Sequence, residues 1–349
     1  MLEITNYDYN LPAELIAQQP LAVRSDARLM VIDRQSQSWQ HAHVRDLPAL
    51  LHPGDCLVLN DSRVLMARLS GHRVLTGGRW QGLFLAEDTG CHWRVLSKTR
   101  GKLQPGELIQ LEDRDSRPAI SIRLLSQLGA GEWAVAPQCD EPTLAILERL
   151  GRVPLPPYIR GGQMIPDDQS AYQTVYAREP GSVAAPTAGL HLTLNLLDEL
   201  GRTGIRHTRV LLHVGIGTFR PMNVTSLDQH RMHAEFGRIE SPAVEALQQV
   251  RLSGGRRIAI GTTTVRVLES AADAQGSLTA WSGQTDLFIR PPYTFRAIDG
   301  LLTNFHLPRA TLLVLVRTFG GDALIRAAYD EAIRERYRFY SYGDAMLIL

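Results

Sequence analysis

The stretch Arg257-Ile-Ala-Ile-Gly-Thr-Thr-Thr-Val-Arg266 decides the fold class of this chain. Its first four residues, Arg257–Ile260, suit a buried strand, and after one glycine the segment Val265–Ala272 carries apolar residues at helical spacing. A strand that turns directly into a helix is the repeating unit of an α/β sheet. Three threonine hydroxyls and the N–H groups of the helix start converge at this turn, which suits a phosphate or carboxylate. N-capping accounts for one of these threonines and does not need three.

Further strands and helices alternate on both sides of this stretch. Near the start of the chain, the short apolar runs Arg28–Asp33 and Cys56–Asn60 predict strands. The pattern also predicts a helix at Thr193–Gly201, a strand at Thr208–Val214, a helix from Ser241-Pro242, a strand at Thr303–Leu307, helices at Thr311–Phe319 and Ala323–Tyr337, and a strand at Asp344–Leu349. This alternation predicts an α/β sheet.

Between Ala67 and Pro137 the pattern changes to short alternating segments without a helix. Six predicted strands are separated by Gly, Pro or Asp turns: Arg68–Leu75, Arg79–Ala86, His92–Ser97, Glu107–Leu111, Ile120–Leu125 and Trp133–Ala136. They favour a small antiparallel barrel, and a helix at Thr143–Leu150 leads back to the rest of the chain. We therefore expect an α/β core domain, residues 1–66 and 151–349, with an inserted small antiparallel β-barrel domain, residues 67–150.

Composition excludes several classes of protein. The 349 residues are 44% hydrophobic and 21% charged, as in a soluble globular protein of about two domains. Lys+Arg is 37 and Asp+Glu is 36, so the formal net charge is +1. A charge this small gives no overall electrostatic field that would indicate binding to nucleic acid or to an anionic membrane. Lys98 and Lys102 are the two lysines, and Leu103 follows Lys102, so a P-loop is excluded.

Cysteine usage and hydropathy point to the cytoplasm. The three cysteines lie far apart without a C-x-x-C pair, which argues against a disulfide framework and against iron–sulfur ligation. The N-terminus lacks a basic region followed by an apolar one, and the longest apolar run, Leu312–Val316, is too short for a bilayer. We expect a cytoplasmic protein without membrane contact, and the sequence leaves its oligomeric state open, although a monomer is the simplest expectation.

Two glycine-rich segments could bind a ligand at the ends of strands. Gly181–His191 consists of small residues that let a ligand approach the backbone, although its composition favours a tight loop packed under the sheet, with His191 capping backbone groups. Leu212–Arg220 nearly matches the dinucleotide glycine pattern, but Arg220 stands where the third glycine should be, which argues against a Rossmann fingerprint. Two interpretations of this second segment remain. It presents His213, Thr218 and Arg220 to a ligand, or it forms a sharp turn without a binding role.

Two histidine-bearing segments are candidates for proton transfer. In His230–Glu235, two imidazoles at i and i+3 could hold a metal if the segment were helical, but an acid/base pair of His233 and Glu235 is the better functional interpretation. Surface polar residues are the alternative there. In Thr303–Pro308, Asn304 and His306 end a predicted strand, with a core histidine as the alternative.

Taken together, these segments closely resemble the S-adenosylmethionine:tRNA ribosyltransferase-isomerase family of queuosine biosynthesis. The matching stretches run in order along nearly the whole chain: Tyr9–Gln18, Arg24–Leu29, Gly54–Val64, Pro154–Ile159, Tyr172–Tyr176, Ala184–His191, Leu212–Phe219, Gly261–Arg266, Thr303–Pro308 and Tyr340–Met346. The family has an α/β domain interrupted by a small β-barrel, which agrees with the insertion inferred above. Among the departures, Gln81 stands where relatives tend to have glutamate.

The resemblance implies an unusual reaction of S-adenosylmethionine. Its ribosyl part would be transferred to the aminomethyl-deazaguanine base, prequeuosine, in a tRNA anticodon loop and isomerised, giving epoxyqueuosine, adenine and methionine. The sulfonium acidifies the adjacent ribose carbon and makes methionine a good leaving group, so S-adenosylmethionine is a cosubstrate and neither a metal nor a prosthetic group is expected. The enzyme has to supply a base for that carbon and an acid for the departing adenine.

The reaction points to three sets of residues. We expect the acid/base groups among His191, His213, His233, Glu235 and His306. S-Adenosylmethionine binding is expected at Gly189, Gly215, Gly217, Thr218, Thr262, Thr263 and Thr264. RNA binding is expected at Arg79, Lys98 and Arg100, in a barrel region rich in cations and tryptophans.

Two other functions remain open from sequence. An S-adenosylmethionine-dependent RNA methyltransferase would use the same cosubstrate, but it ordinarily has a glycine-rich loop after its first strand, where this chain has Arg34-Gln-Ser-Gln37. A non-catalytic RNA-binding protein would explain the arginines and the barrel, but not the histidines and threonines at strand ends.

Overall fold

A computed structural model describes residues 3–215, 217 and 224–349. The chain forms two compact units, one comprising Met1–Arg63 and Ala171–Leu349 and the other Val64–Ser170. The first unit is α/β and the second contains a closed six-stranded antiparallel barrel, so the predicted fold class is confirmed. Within the described residues, no helix is both long enough and apolar enough to cross a bilayer.

The strands and helices are numbered in chain order. The strands are β1 (Arg28–Asp33), β2 (Ser38–His43), β3 (Cys56–Asn60), β4 (Ser62–Val64), β5 (Arg68–Arg73), β6 (Arg79–Glu87), β7 (Trp93–Thr99), β8 (Leu108–Glu112), β9 (Pro118–Gly129), β10 (Glu132–Pro137), β11 (Glu179–Ser182), β12 (Arg206–Leu212), β13 (Glu235–Ile239), β14 (Arg257–Ile260), β15 (Trp281–Thr285), β16 (Gly300–Asn304) and β17 (Ala345–Ile348). The helices are α1 (Leu47–Leu50), α2 (Thr143–Leu150), α3 (Asp168–Ala171), α4 (Leu194–Arg202), α5 (Ser241–Leu252), α6 (Thr262–Ala271), α7 (Thr311–Gly320) and α8 (Asp322–Arg334).

The α/β unit is built on a nine-stranded mixed sheet in the order β15-β13-β12-β3-β14-β16-β17-β1-β2. Four neighbouring strands at its centre, β12, β3, β14 and β16, run parallel. β13 and β17 run antiparallel to β12 and β16. The parallel centre therefore brings four strand ends, and the loops after them, to one edge of the sheet.

Alternating side chains along the central strands pack the sheet on both faces. In β3, Cys56 and Val58 join a core covered by α5, α6, α7 and α8, whereas Leu57 and Leu59 join a core covered by α1 and α4. All five residues of β3 are buried. Strands buried on both faces have continuous apolar runs, which is why Cys56–Asn60 could be recognised as a strand.

The second unit closes its barrel in the order β10-β7-β6-β5-β8-β9, with β9 paired to β10. The core is filled by inward-facing aromatic and branched residues, including Trp80, Trp93 and Trp133. Gly82 is required beside Trp80, because a Cβ there would lie 2.1 Å from the indole ring. The indole N–H of Trp93 donates to Thr143 Oγ1 at 2.8 Å, which ties α2 to the barrel.

Several predicted strands differ by a few residues from the observed bounds, and the difference at β16 changes where the site residues lie. The sequence pattern places a strand at Thr303–Leu307, but β16 spans Gly300–Asn304. The apolar side chains that follow Asn304 belong to a loop packed into the core, where Phe305 is fully buried. As a result, Asn304 is the last residue of the strand and His306 lies in the loop after it.

Candidate active site at the carboxyl edge of the sheet

Most of the predicted site residues of the α/β unit lie at the edge where the parallel strands end. Asn60 ends β3, His213 follows β12, Gly261 follows β14 and Asn304 ends β16. The antiparallel strands add their first residues, because Gly237 of β13 pairs with Leu212 and Ala345 of β17 pairs with Asn304. Loops at the carboxyl ends of such strands are where α/β proteins bind ligands.

His191 is held at this edge as a neutral imidazole. It is 4% exposed and ends a short 3₁₀ helix, Thr187–His191. The side-chain amide of Asn304 donates to Nε2 of His191 at 3.1 Å, so the ring carries its proton on Nδ1. Burial, with smaller effects of Arg338 and Arg24, lowers the pKa of His191 to about 4. The ring is therefore uncharged at neutral pH.

His306 is a second buried, neutral imidazole. Its Nε2 lies 2.8 Å from the hydroxyl oxygen of Thr303, and its backbone N–H donates to the Tyr329 hydroxyl at 2.9 Å. The carbonyl oxygen of His306 accepts a hydrogen bond from the Tyr9 hydroxyl. Burial lowers the pKa of His306 to about 3. These bonds fit a core histidine as well as a catalytic one.

His213 is partly buried and lies between two strands. Its Nδ1 and the hydroxyl of Ser62 are hydrogen bonded at 2.8 Å, and its ring stacks on Phe236 with centroids 6.1 Å apart. The ring also packs on Gly181, where a Cβ would lie 2.6 Å from Nε2. Burial lowers the pKa of His213, and Glu179 opposes this effect. Its ring is thus more accessible than that of His191 and still largely uncharged at neutral pH.

Glu235 is engaged in a buried ion pair. Its carboxylate pairs with Arg266, and both residues are at least 94% buried. The other carboxylate oxygen accepts the N–H of Gly215 at 2.7 Å. Arg266 also donates to the carbonyl oxygen of Thr285 at 2.9 Å. Because its oxygens are occupied in this way, Glu235 shapes the glycine turn after β12, and a role in positioning that turn fits better than proton transfer.

His233 is exposed and lies on Gly217, where a Cβ would come within 2.4 Å of its ring. The residues between His230 and Glu235 do not form a helix, so the two imidazoles at i and i+3 are not placed on one helical face as the metal interpretation required. Among the described residues, no cluster of three or more His, Cys, Asp or Glu side chains could hold a metal ion. Thr218 and Arg220 lie outside the described residues.

The threonines after β14 form the start of α6. Gly261 caps the helix with φ +89°, and the Thr264 hydroxyl donates back to the Ile260 carbonyl oxygen at 2.8 Å. Thr262 and Thr264 are buried, whereas Thr263 is partly exposed. Ala188, next to Gly189, lies against Gly261, where a Cβ would be 3.6 Å from the Ala188 methyl. The structure therefore brings two of the predicted binding segments together.

Sequence reasoning missed three buried polar residues at this edge. Asp61, the residue after β3, is 7% exposed, and burial together with Glu179 raises the pKa of its carboxyl group. Thr174 and Tyr176 are each 5% exposed. Asp61 could have been found, because a carboxylate directly after a buried strand lies at the carboxyl edge of the sheet. The segment Tyr172–Tyr176 carries part of the family resemblance, but it has no periodic pattern that would place it at this edge.

The barrel carries a separate groove of about 630 Å³. Its lining contains all three predicted RNA-binding residues and the half-buried Arg152: Ser70, Gly71, Arg79, Trp80, Gln81, Lys98, Thr99, Arg100, Glu112, Ser116 and Arg152. Within the described part of the chain, no ion pair joins its four cations to a carboxylate, and Glu112 faces His72 at 3.2 Å. The groove is therefore strongly cationic.

Comparison with known proteins gives consistent matches over the full chain. The family described as queuosine biosynthesis protein matches residues 4–348. Proteins named S-adenosylmethionine:tRNA ribosyltransferase-isomerase from Moorella thermoacetica, Symbiobacterium thermophilum and Desulforamulus reducens are 48%, 47% and 43% identical to this chain. Each alignment covers 100% of both chains.

A solved structure gives the same result. The crystal structure of S-adenosylmethionine tRNA ribosyltransferase from Thermotoga maritima is 34% identical, with a TM-score of 0.56. The match covers 99% of this chain and 100% of that one. From the family match, the identities and the shared fold, the chain belongs to the queuosine biosynthesis protein family.

Proposed function

We propose that this chain transfers and isomerises the ribosyl moiety of S-adenosylmethionine onto the prequeuosine base of tRNA, releasing adenine and methionine. The observation that carries the proposal is that relatives named for this activity match the chain from end to end at 43–48% identity. The enzyme is a transferase that consumes S-adenosylmethionine as a cosubstrate. Its tRNA substrate carries prequeuosine in the anticodon loop, where unpaired bases can be splayed out.

The histidines of the sheet edge supply the proton transfers. Abstraction of a proton from the ribose carbon beside the sulfonium needs an unprotonated base, and the lowered pKa values of His191 and His213 keep both imidazoles unprotonated at neutral pH. His233, Glu235 and His306 complete the set of acid/base candidates. The buried ion pair of Glu235 gives it a supporting part, since Arg266 and Gly215 already occupy its carboxylate.

The cosubstrate binds where the Thr187–His191 segment meets the start of α6. Gly189, Thr262, Thr263 and Thr264 offer backbone N–H groups and hydroxyls there, and Gly215 and Gly217 lie at the neighbouring end of β12. Thr218 is proposed for the same set from sequence. The anionic carboxylate of the methionine part is the group that a helix N-terminus favours.

The barrel groove holds the tRNA backbone. Arg79, Lys98 and Arg100 are exposed cations without carboxylate partners in the described structure, so they can neutralise phosphates without first breaking an ion pair. Gln81 lies among them, and as a neutral residue it leaves the groove more cationic than glutamate would.

Product identification tests the proposed reaction. The protein is incubated with S-adenosylmethionine labelled separately in the ribose and in the methyl group, together with tRNA that contains prequeuosine. The proposal requires adenine and methionine as products and the ribose label on tRNA. S-Adenosylhomocysteine with the methyl label on tRNA would identify an RNA methyltransferase, and unchanged S-adenosylmethionine with bound tRNA would identify a non-catalytic RNA-binding protein.

A further inference from the structure

Two buried hydroxyls beside Gly189 have no hydrogen-bond partner in the described part of the chain. They are Oγ1 of Thr174 and the phenol of Tyr176, on residues that are each 5% exposed. Two other buried tyrosines have bonded hydroxyls: that of Tyr329 accepts the N–H of His306 at 2.9 Å, and that of Tyr337 bonds Nδ1 of His41 at 2.7 Å. Since an unpaired buried hydroxyl destabilises a folded protein, a pair of them side by side calls for a reason.

Both residues lie against the segment predicted to bind the cosubstrate. A Cβ on Gly189 would be 1.9 Å from the Tyr176 oxygen and 3.0 Å from Cγ2 of Thr174. A third hydroxyl without a partner in the described structure, Oγ1 of Thr263, lies 3.6 Å from where a Cβ of Gly261 would be. Because residue 189 is glycine, the Tyr176 hydroxyl can lie directly against the backbone at this position.

The charge around these hydroxyls limits what they can hold. Burial and the Asp61 carboxylate raise the pKa of the Tyr176 phenol, so it keeps its proton and donates. A carboxylate is disfavoured here, because Asp61 already contributes negative charge. A neutral group with acceptor atoms, such as a ribose oxygen or a purine ring nitrogen, matches donors of this kind.

We propose that the hydroxyls of Thr174 and Tyr176 form the subsite for the nucleoside part of S-adenosylmethionine, to which they donate hydrogen bonds. The inference rests on the proposed function and adds to it two residues and the part of the cosubstrate that they hold. The methionine part then extends away from Asp61.

The test compares Tyr176, whose hydroxyl has no hydrogen-bond partner among the described residues, with Tyr337, whose hydroxyl is bonded. Tyr176→Phe removes a hydroxyl with no partner among the described residues, so its Tm should equal or exceed that of the wild type while its Kd for S-adenosylmethionine rises about three- to tenfold. Tyr337→Phe removes a bonded hydroxyl, so it should lower the Tm and leave the Kd unchanged. Thr174→Val should behave like Tyr176→Phe.

Competing fragments locate the binding contact. Adenosine should lose affinity for the Tyr176→Phe variant by the same factor as S-adenosylmethionine, whereas methionine should compete as it does with the wild type. The subsite would be overturned by wild-type affinity for S-adenosylmethionine in both Tyr176→Phe and Thr174→Val, or by variants in which only tRNA binding is weakened. The proposed function would stand in either case, provided that the wild-type protein releases adenine. A wild-type protein that neither binds S-adenosylmethionine nor releases adenine would instead overturn the proposed function and this subsite with it.

Discussion

The side-chain amide of Asn304 and Nε2 of His191 are hydrogen bonded at 3.1 Å across 113 positions of sequence. Asn304 is fixed in turn by the Thr187 hydroxyl, which donates to its Oδ1 at 3.0 Å, and by its own donation to the Tyr340 carbonyl oxygen at 3.1 Å. With both ends of the amide engaged, its NH₂ group faces the imidazole. This arrangement selects the tautomer of His191 that has its proton on Nδ1.

Asn304→Asp should therefore shift the pH dependence of the reaction. The pKa of His191 is lowered to about 4. In the wild type, any loss of rate caused by protonation of His191 should therefore occur well below neutral pH. A carboxylate beside Nε2 favours the charged ring and raises that pKa, which moves the acid limb of single-turnover adenine release to higher pH. Thr187→Val removes one of the bonds to the Asn304 amide but adds no charge beside Nε2, so it should keep the wild-type limb. Superimposable profiles for wild type and Asn304→Asp would show that this hydrogen bond does not set the protonation of His191.

Glu235→Ala should strongly destabilise the α/β unit. It leaves the Arg266 guanidinium buried and unpaired, which typically costs about 3–5 kcal/mol. Removing both charges in Glu235→Ala/Arg266→Met should cost less than the two single changes added together. Urea unfolding of all four proteins measures this coupling. Strict additivity, or a decrease below about 1 kcal/mol for Glu235→Ala, would mean that the pair is not formed.

Gly189→Ala should weaken cosubstrate binding more than tenfold. The new methyl would lie 1.9 Å from the Tyr176 oxygen, so the tyrosine or the Thr187–His191 segment has to move. Gly201→Ala is the matched control, because nothing lies within 4 Å of its Cβ and it lies in α4, where alanine adds about 0.5–1 kcal/mol of stability. Isothermal titration with S-adenosylmethionine distinguishes the two, and equal affinities in both variants would contradict the assignment.

Neutralising the groove should weaken tRNA binding and its salt dependence. The triple variant Arg79→Gln/Lys98→Gln/Arg100→Gln should lower the slope of log affinity against log salt by roughly 0.7 to 0.9 for each phosphate that the protein no longer neutralises. Arg94→Gln/Arg117→Gln/Arg123→Gln removes the same charge from barrel positions outside the groove lining, and its slope should match the wild type. S-Adenosylmethionine affinity should stay constant in both. Identical slopes for the two triple variants would place the tRNA elsewhere.

Sequence patterns predicted the buried central strands and helices better than the strands at the margins of the sheet. The predicted strands Cys56–Asn60 and Arg257–Ile260 and the helix Thr143–Leu150 have the observed bounds, because continuous apolar runs and helical spacing identify buried elements. β13 and β15 were missed, since both are short and interrupted by glycine. β2 was missed because an edge strand with mostly polar side chains has no apolar run.

The candidate site was predictable as residue types and not as side-chain pairings. Histidines and threonines after strands could be chosen because strand ends meet at one edge. The pairing of Glu235 with Arg266 depends on β13 running antiparallel to β12, which no local pattern indicates. The Tyr176 hydroxyl, without a partner in the described structure, likewise becomes visible only when the Gly189 segment is folded against it.

Single-turnover release of adenine tests most directly whether the sheet edge carries the chemistry. Wild type and the variants His191→Ala, His213→Ala, His233→Ala, Glu235→Ala and His306→Ala are each saturated with S-adenosylmethionine and prequeuosine tRNA, with folding checked by Tm. If these residues include the base and the acid, at least one histidine variant should fall about 10²- to 10⁴-fold in rate while remaining folded. Near-wild-type rates in all five variants would contradict the placement of the chemistry at this edge.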